Sequence, residues 1–141
     1  MGRIAVVVAV AGLGLGACVT MQGSGDGGLA APCNDGVCKV SVDVTSCVIT
    51  PTPDPLPVKG ENNIFWDLTF MSSFYRFTDD GIKLKTSSPV FDSAQKLSDS
   101  KFKMHDKGTP GSYPYAIKVQ RWKIFEGWTE CPTLDPTIVN G

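Results

Sequence analysis

The sequence predicts an all-β fold, an antiparallel β-sandwich of seven or eight strands, preceded by an N-terminal segment outside the folded domain. Three observations predict it. Apolar and polar residues alternate with period two through most of residues 33–141. Such alternation marks half-buried strands. Turn-forming clusters separate the runs at roughly eight- to twelve-residue spacing. No stretch carries a helical period, and "DSAQKLSDSK" (92–101) reads as a polar loop with room for one helical turn at most.

The first element is not structural. Arg3 is the only charged side chain in the first 25 residues, and Ile4 to Ala17 is an unbroken run of 14 Ala, Val, Ile, Leu and Gly residues. At about 1.5 Å per residue, this run as a helix falls short of a hydrocarbon core of roughly 30 Å. It fits the apolar region of an export signal, and Gly12, Gly14 and Gly16 suit a site that a peptidase must read in extended form. The run ends in Leu15-Gly16-Ala17-Cys18. This resembles the lipobox of bacterial lipoproteins. The resemblance implies that residues 1–17 are a cleaved signal peptide and that Cys18 becomes the first mature residue, carrying a diacylglycerol and an acylated amine. Val19, not Asp, follows the cysteine, and the resemblance reads this as passage to the outer membrane. Residues 18–32 then form a lipidated flexible tether, because "VTMQGSGDGGLAAP" is rich in Gly, Ser and Ala and has no periodicity.

Residues 33–141 form the domain. Of the five cysteines, Cys18 is assigned to lipid, which leaves Cys33, Cys38, Cys47 and Cys131. An even count in an exported chain predicts two disulfides. "CKVSVDVTSC" reads as one strand, whose ends lie about 30 Å apart, so Cys38 cannot reach Cys47. Two pairings remain: 33–38 with 47–131, or 33–47 with 38–131. The Asn-Asp-Gly turn within "CNDGVC" favours the first.

The strands follow in order. Val40, Val42 and Val44 face one way, Lys39, Ser41 and Asp43 the other. Prolines at 51, 53, 55 and 57 confine "VITPTPDPLPV" to a sheet edge or a polyproline stretch, and the edge is preferred. "IFWDLTF" aligns Ile64, Trp66, Leu68 and Phe70. "SFYRF" and "IKLKT" are strands around a "TDDG" turn. "PVFD" and "FKM" are short, "YPYAIKVQRWKIF" is long, and "TIV" closes the chain. This pattern is Ig-like or cupredoxin-like in outline. The runs "CKVSVDV", "IFWDL", "YRFTDDGI", "GSYPYAIKV" and "DPTIVN" are similar to those of small secreted proteobacterial β-sandwich proteins. That resemblance implies no catalytic residues.

The sequence offers little chemistry. Without residues 1–17 the chain carries 12 basic and 14 acidic residues. This balance speaks against a nucleic-acid partner. His105 is the only histidine, so a blue-copper site, which takes two, is excluded. A Ser-His-Asp triad lacks its nucleophile elbow, and the cysteines lack zinc spacing. Asp79 and Asp80 are explained by their turn. No catalytic residue, metal or cofactor is expected. Tyr113, Tyr115, Trp122, Phe125 and Trp128 are the candidates for a binding patch, because exposed aromatics stack on sugar rings or anchor protein interfaces. The expected function is therefore a non-enzymatic binding or structural module. It would be held by Cys18 to the membrane, at the periplasmic face or cell surface, with an envelope protein or glycan as partner. The alternative is an inhibitor or immunity protein against an envelope hydrolase, inserting loop 106–114 into a cleft.

Overall fold

The structure, a computed structural model, describes residues 31–69 and 72–141. The signal segment, Cys18, most of the tether and Phe70 lie outside the described residues. The domain is an all-β sandwich of two sheets. Its strands are β1 (Cys33–Asn34), β2 (Val37–Thr45), β3 (Val48–Thr52), β4 (Leu56–Val58), β5 (Asn62–Leu68), β6 (Tyr75–Leu84), β7 (Gln95–Ser98), β8 (Lys101–Asp106), β9 (Gly111–Lys123), β10 (Gly127–Glu130) and β11 (Thr137–Asn140).

Two details differ from the sequence reading. The first is the number of strands, eleven in place of seven or eight. The run read as one strand through Cys47 turns at Ser46 and Cys47, both with positive φ, and continues as β3. "EGWTE" supplies β10, and the polar loop at 92–101 contains β7, an exposed strand whose polarity conceals it. Conversely, "SFYRF" and "IKLKT" belong to one strand, β6, bulged between Phe77 and Ile82. The second is strand direction. The sheets are mixed, because β2 runs parallel to β5 and β4 parallel to β11. Both parallel pairs come from one excursion. After β3, residues 53–55 carry the chain from the first sheet to the second, where it forms β4, and it then returns to the far edge of β2 as β5. The proline-rich segment is thus an edge at both ends, as its missing N–H groups require.

In the first sheet β1 and β3 share one edge of β2, followed on the other side by β5, β8 and β7. In the second sheet β9 is central. β6 lies on one edge, and the C-terminal run of β10 and β11 covers the other, with β4 outermost. Alternate side chains of the two inner faces fill the interior: Cys38, Val40, Val42, Val44, Ile64, Trp66, Phe102 and Met104 from one, Leu56, Phe77, Ile82, Tyr115, Ile117, Val119 and Ile138 from the other.

Two disulfides join this frame. Cys33–Cys38 spans the β1–β2 hairpin, closed by Asp35 and Gly36 at positive φ. Cys47–Cys131 ties the β2–β3 turn of one sheet to the end of β10 in the other. This is the pairing that the Asn-Asp-Gly turn favours.

Candidate functional site

The five aromatic candidates separate into two groups. Tyr115 is not a surface residue. It is 1% exposed, and its hydroxyl accepts the indole N–H of Trp66 at 3.1 Å. Burial pushes its pKa far above the usual phenol value. Tyr113 braces a loop. Its ring packs edge-on against Phe91 at 5.0 Å, and its hydroxyl donates to the Thr109 carbonyl at 3.0 Å. Period-two alternation assigns residues to faces but does not say which face is covered, so both tyrosines were legible only as aromatic strand residues.

Trp122, Phe125 and Trp128 do come together, on the β9–β10 hairpin. Trp122 and Trp128 are direct cross-strand partners, with ring centroids 5.4 Å apart in a T-shaped pair. The Arg76 guanidinium lies 4.2 Å over the Trp128 ring, and its Nε donates to Gln120 at 2.9 Å. The Lys123–Gly127 pair closes the hairpin around Ile124, Phe125 and Glu126. Phe125 has φ 73° and is 103% exposed, and Ile124 is 73% exposed. Left-handed backbone is costly for a bulky residue. A fully exposed Phe there gains no burial to offset that cost.

Phe74, 67% exposed, extends this surface. Its carbonyl accepts the Trp122 N–H at 2.9 Å, which fixes it beside the hairpin. Phe74 and Arg76 lie outside the residues the sequence points to, whereas Ile124 falls within "QRWKIFEGW", the stretch whose mixed charge and large apolar groups suggest a surface patch. The alternation of "SFYRF" was the available signal, because it places Phe74 and Arg76 on one face and Tyr75 and Phe77 on the other. Below Trp128 lies a cleft of about 460 Å³ lined by Leu68, Ser72, Tyr75, Arg76, Asp99 and Ser100, among others.

The hairpin has a fixed foot. Cys131 follows β10 and is bonded to Cys47, whose N–H donates to the Tyr75 hydroxyl at 3.2 Å. The β2–β3 turn and the hairpin therefore share one end of the sandwich. Cys33, in β1, lies beside the start of β2 at the other end, where its disulfide sulfur is 3.5 Å from the Pro57 carbonyl oxygen. At ~3.3 Å per residue, β2 separates the two ends by about 25 Å.

Loop 106–114, expected as an insertion loop, is internally braced. The Asp106 carboxylate accepts the Gly108 N–H at 2.7 Å and the Asn140 amide at 3.0 Å, and that amide also reaches the Thr109 carbonyl. His105 is half-buried and contacts Glu61 at 2.9 Å. Asp80 sits in the β6 bulge against Lys118, whose ammonium holds its carboxyl below the usual range. Among the described residues no group of three His, Cys, Asp or Glu side chains is placed to hold a metal. No family model and no curated protein matches the chain.

Proposed function

We propose that the chain is a lipid-anchored cell-envelope protein whose sandwich is a non-enzymatic binding module, with the Trp122–Trp128 hairpin as its contact surface. The observation that carries this reading is Phe125, wholly exposed at a costly backbone angle on a hairpin braced by a disulfide. The Leu-Gly-Ala-Cys motif ending at Cys18 supports the anchor, and two disulfides fit an oxidising compartment. Cys33, which follows the tether, lies at the end of the domain away from the hairpin.

A projecting apolar tip on a rigid hairpin also suits the alternative, an inhibitor of an envelope hydrolase. In that case the tip at Ile124–Phe125, not loop 106–114, enters the cleft.

Two experiments test the proposal. Cys18→Ala should leave an unprocessed precursor without fatty-acid label; normal processing and membrane attachment would overturn the anchor. A photo-crosslinking residue at position 125 should capture a discrete envelope protein or glycan in cells, and Trp122→Ala should abolish the capture. No adduct, or one indifferent to Trp122, would overturn the binding surface. A hydrolase in the adduct, inhibited by the purified chain, would select the inhibitor reading.

A further inference from the structure

A buried polar node lies where β8 and β11 end. Asp106, the last residue of β8, and Asn140, the last of β11, are both buried. Asn62, the cross-strand partner of Asp106 on β5, is buried beside them, and its amide donates to the Lys59 and Gly60 carbonyls. The Asn140 amide nitrogen donates twice, to Asp106 Oδ1 and to the Thr109 carbonyl, each at 3.0 Å. These two acceptors fix which end of the amide is nitrogen. Asp106 Oδ1 also accepts the Gly108 N–H at 2.7 Å. The two atoms left over are Asp106 Oδ2 and Asn140 Oδ1, both buried and both without a partner.

With Asp106 ionised, both atoms are acceptors and neither can serve the other. A bare buried acceptor is costly, and a charged one more so. No cation offsets the charge, because Asp106 belongs to none of the ion pairs among the described residues. The ionisable groups around it are otherwise engaged or exposed. His105, next to it on β8, contacts Glu61 of the β4–β5 turn, where Lys59 is exposed. Lys107 pairs with Asp92 of the segment 87–94 and reaches the Pro89 carbonyl. Tyr113 of β9 donates to Thr109. β4 and β11 carry no ionisable side chain. Burial disfavours the ionised form and outweighs the bonds from Gly108 and Asn140 and the charge of His105.

One proton satisfies both orphans. A neutral carboxyl has one O–H to donate, and Asn140 Oδ1 is the acceptor that lacks a donor. Carboxyl and amide are already joined through Oδ1 and Nδ2, so a second bond closes a ring of two antiparallel hydrogen bonds. We infer that Asp106 is a neutral carboxylic acid that donates from Oδ2 to Asn140 Oδ1, and that this pair is a pH-operated latch on residues 107–110. Those residues cover the node: Gly108 packs on the Gly60–Glu61 backbone, Asn140 holds Thr109, and Lys107, Thr109 and Pro110 are exposed. The switching step is release of the Oδ2 proton to solvent, with no other covalent bond broken. It leaves a carboxylate facing the Asn140 oxygen in the interior. Opening of residues 107–110 lets water reach that charge.

The test is carbon-13 and amide NMR of the labelled full chain from pH 3 to 8. The Asp106 γ-carbon should keep the shift of a protonated acid through about pH 3.9, where an open-chain aspartate ionises. The Asn140 γ-carbon should move in the same later step, because its oxygen then loses a donor. Asp106→Asn places an N–H where the acid O–H lies and cannot ionise. The ratio of Gly108 amide exchange, wild type over variant, cancels the base catalysis common to both. It should rise by up to about tenfold per pH unit above pH 4 and level off once Asp106 ionises in the fold, since the open loop releases the proton that the closed loop holds. If the variant fails to fold, the two γ-carbons decide alone. An Asp106 γ-carbon that titrates like an open-chain aspartate would overturn the inference and mark Oδ2 as the acceptor of a buried water or cation. A silent Asn140 γ-carbon would overturn the pairing, and an exchange ratio flat with pH would overturn the latch.

Discussion

Trp66 and Tyr115 meet across the interior, one from each sheet, with the indole N–H on the phenol oxygen at 3.1 Å and ring centroids 5.5 Å apart. Both are fully buried. The bond lets two large polar-tipped aromatics fill the interior without an unpaired donor. Tyr115→Phe keeps the ring and strands the Trp66 N–H. The expected cost is about 1–3 kcal/mol, the desolvation penalty of one buried unpaired donor. Urea unfolding followed by tryptophan fluorescence measures it. An unchanged midpoint would mean that the bond contributes nothing net.

That pair also marks what the sequence could reveal. Trp66 alternates with Ile64 and Leu68, so its burial was legible from period two. Tyr115 alternates equally well with Ile117 and Val119, yet its burial is not legible in the sequence, because alternation does not say which face is covered and its hydroxyl partner is 49 residues away. The same limit explains the parallel pairs. Local pattern shows that Val37–Thr45 and Asn62–Leu68 are strands, but not that an excursion through the other sheet brings them side by side. The short disulfide was legible because its turn is local. Phe74 joins the hairpin surface through a bond to Trp122, 48 positions along the chain, which no window of sequence contains.

The two disulfides should differ in worth. Cys33 and Cys38 are five positions apart, Cys47 and Cys131 eighty-four. If cross-links act on the unfolded chain, the loop-length relation gives about 2 kcal/mol for the first and ~4.5 kcal/mol for the second. Paired Ser substitutions at 47 and 131 should therefore lower the urea midpoint about twice as much as those at 33 and 38. They should also lower hydrogen-exchange protection at the foot of the β9–β10 hairpin. Equal losses would argue that native-state packing, not loop closure, sets the value. Intact mass should rise by four hydrogens on full reduction; a smaller rise would show a missing bridge.

Gly108 follows the Asp106 brace at φ 84°, and a Cβ there would lie 2.5 Å from the Gly60 carbonyl carbon and 2.7 Å from the Glu61 nitrogen. Both neighbours are backbone and cannot swing aside. Gly108→Ala combines this overlap with a left-handed angle, so a loss of at least ~2 kcal/mol is expected. Gly60→Ala, at φ 69° but with nothing within 4 Å of its Cβ, is the control for angle alone. It should cost about 1 kcal/mol. Thermal melts of the two variants compare them directly, and equal losses would remove close approach from the explanation.

Asp106 and Asn140 form the last testable pair. Asp106 is 0% exposed and Asn140 4%, and Asp106 Oδ2 and Asn140 Oδ1 are both buried without a partner. Burial raises the Asp106 pKa above its ordinary 3.8, against the opposing hydrogen bonds from Gly108 and Asn140. The folded state thus holds this proton more tightly than the unfolded chain. Its contribution to stability is fully present below the unfolded value and is lost as pH rises through the raised folded value. Asp80, lowered by Lys118, works in the opposite sense, so the total profile mixes the two. The difference between wild type and Asp106→Asn isolates the first. The amide keeps an acceptor for Gly108 and Asn140 and carries no charge at any pH. Relative to wild type it should gain stability as pH rises from about 4, reaching a plateau above the folded pKa. Urea midpoints of both proteins between pH 3 and 8 give the curve. A difference that is flat with pH would show that Asp106 titrates in the fold as it does in the open chain.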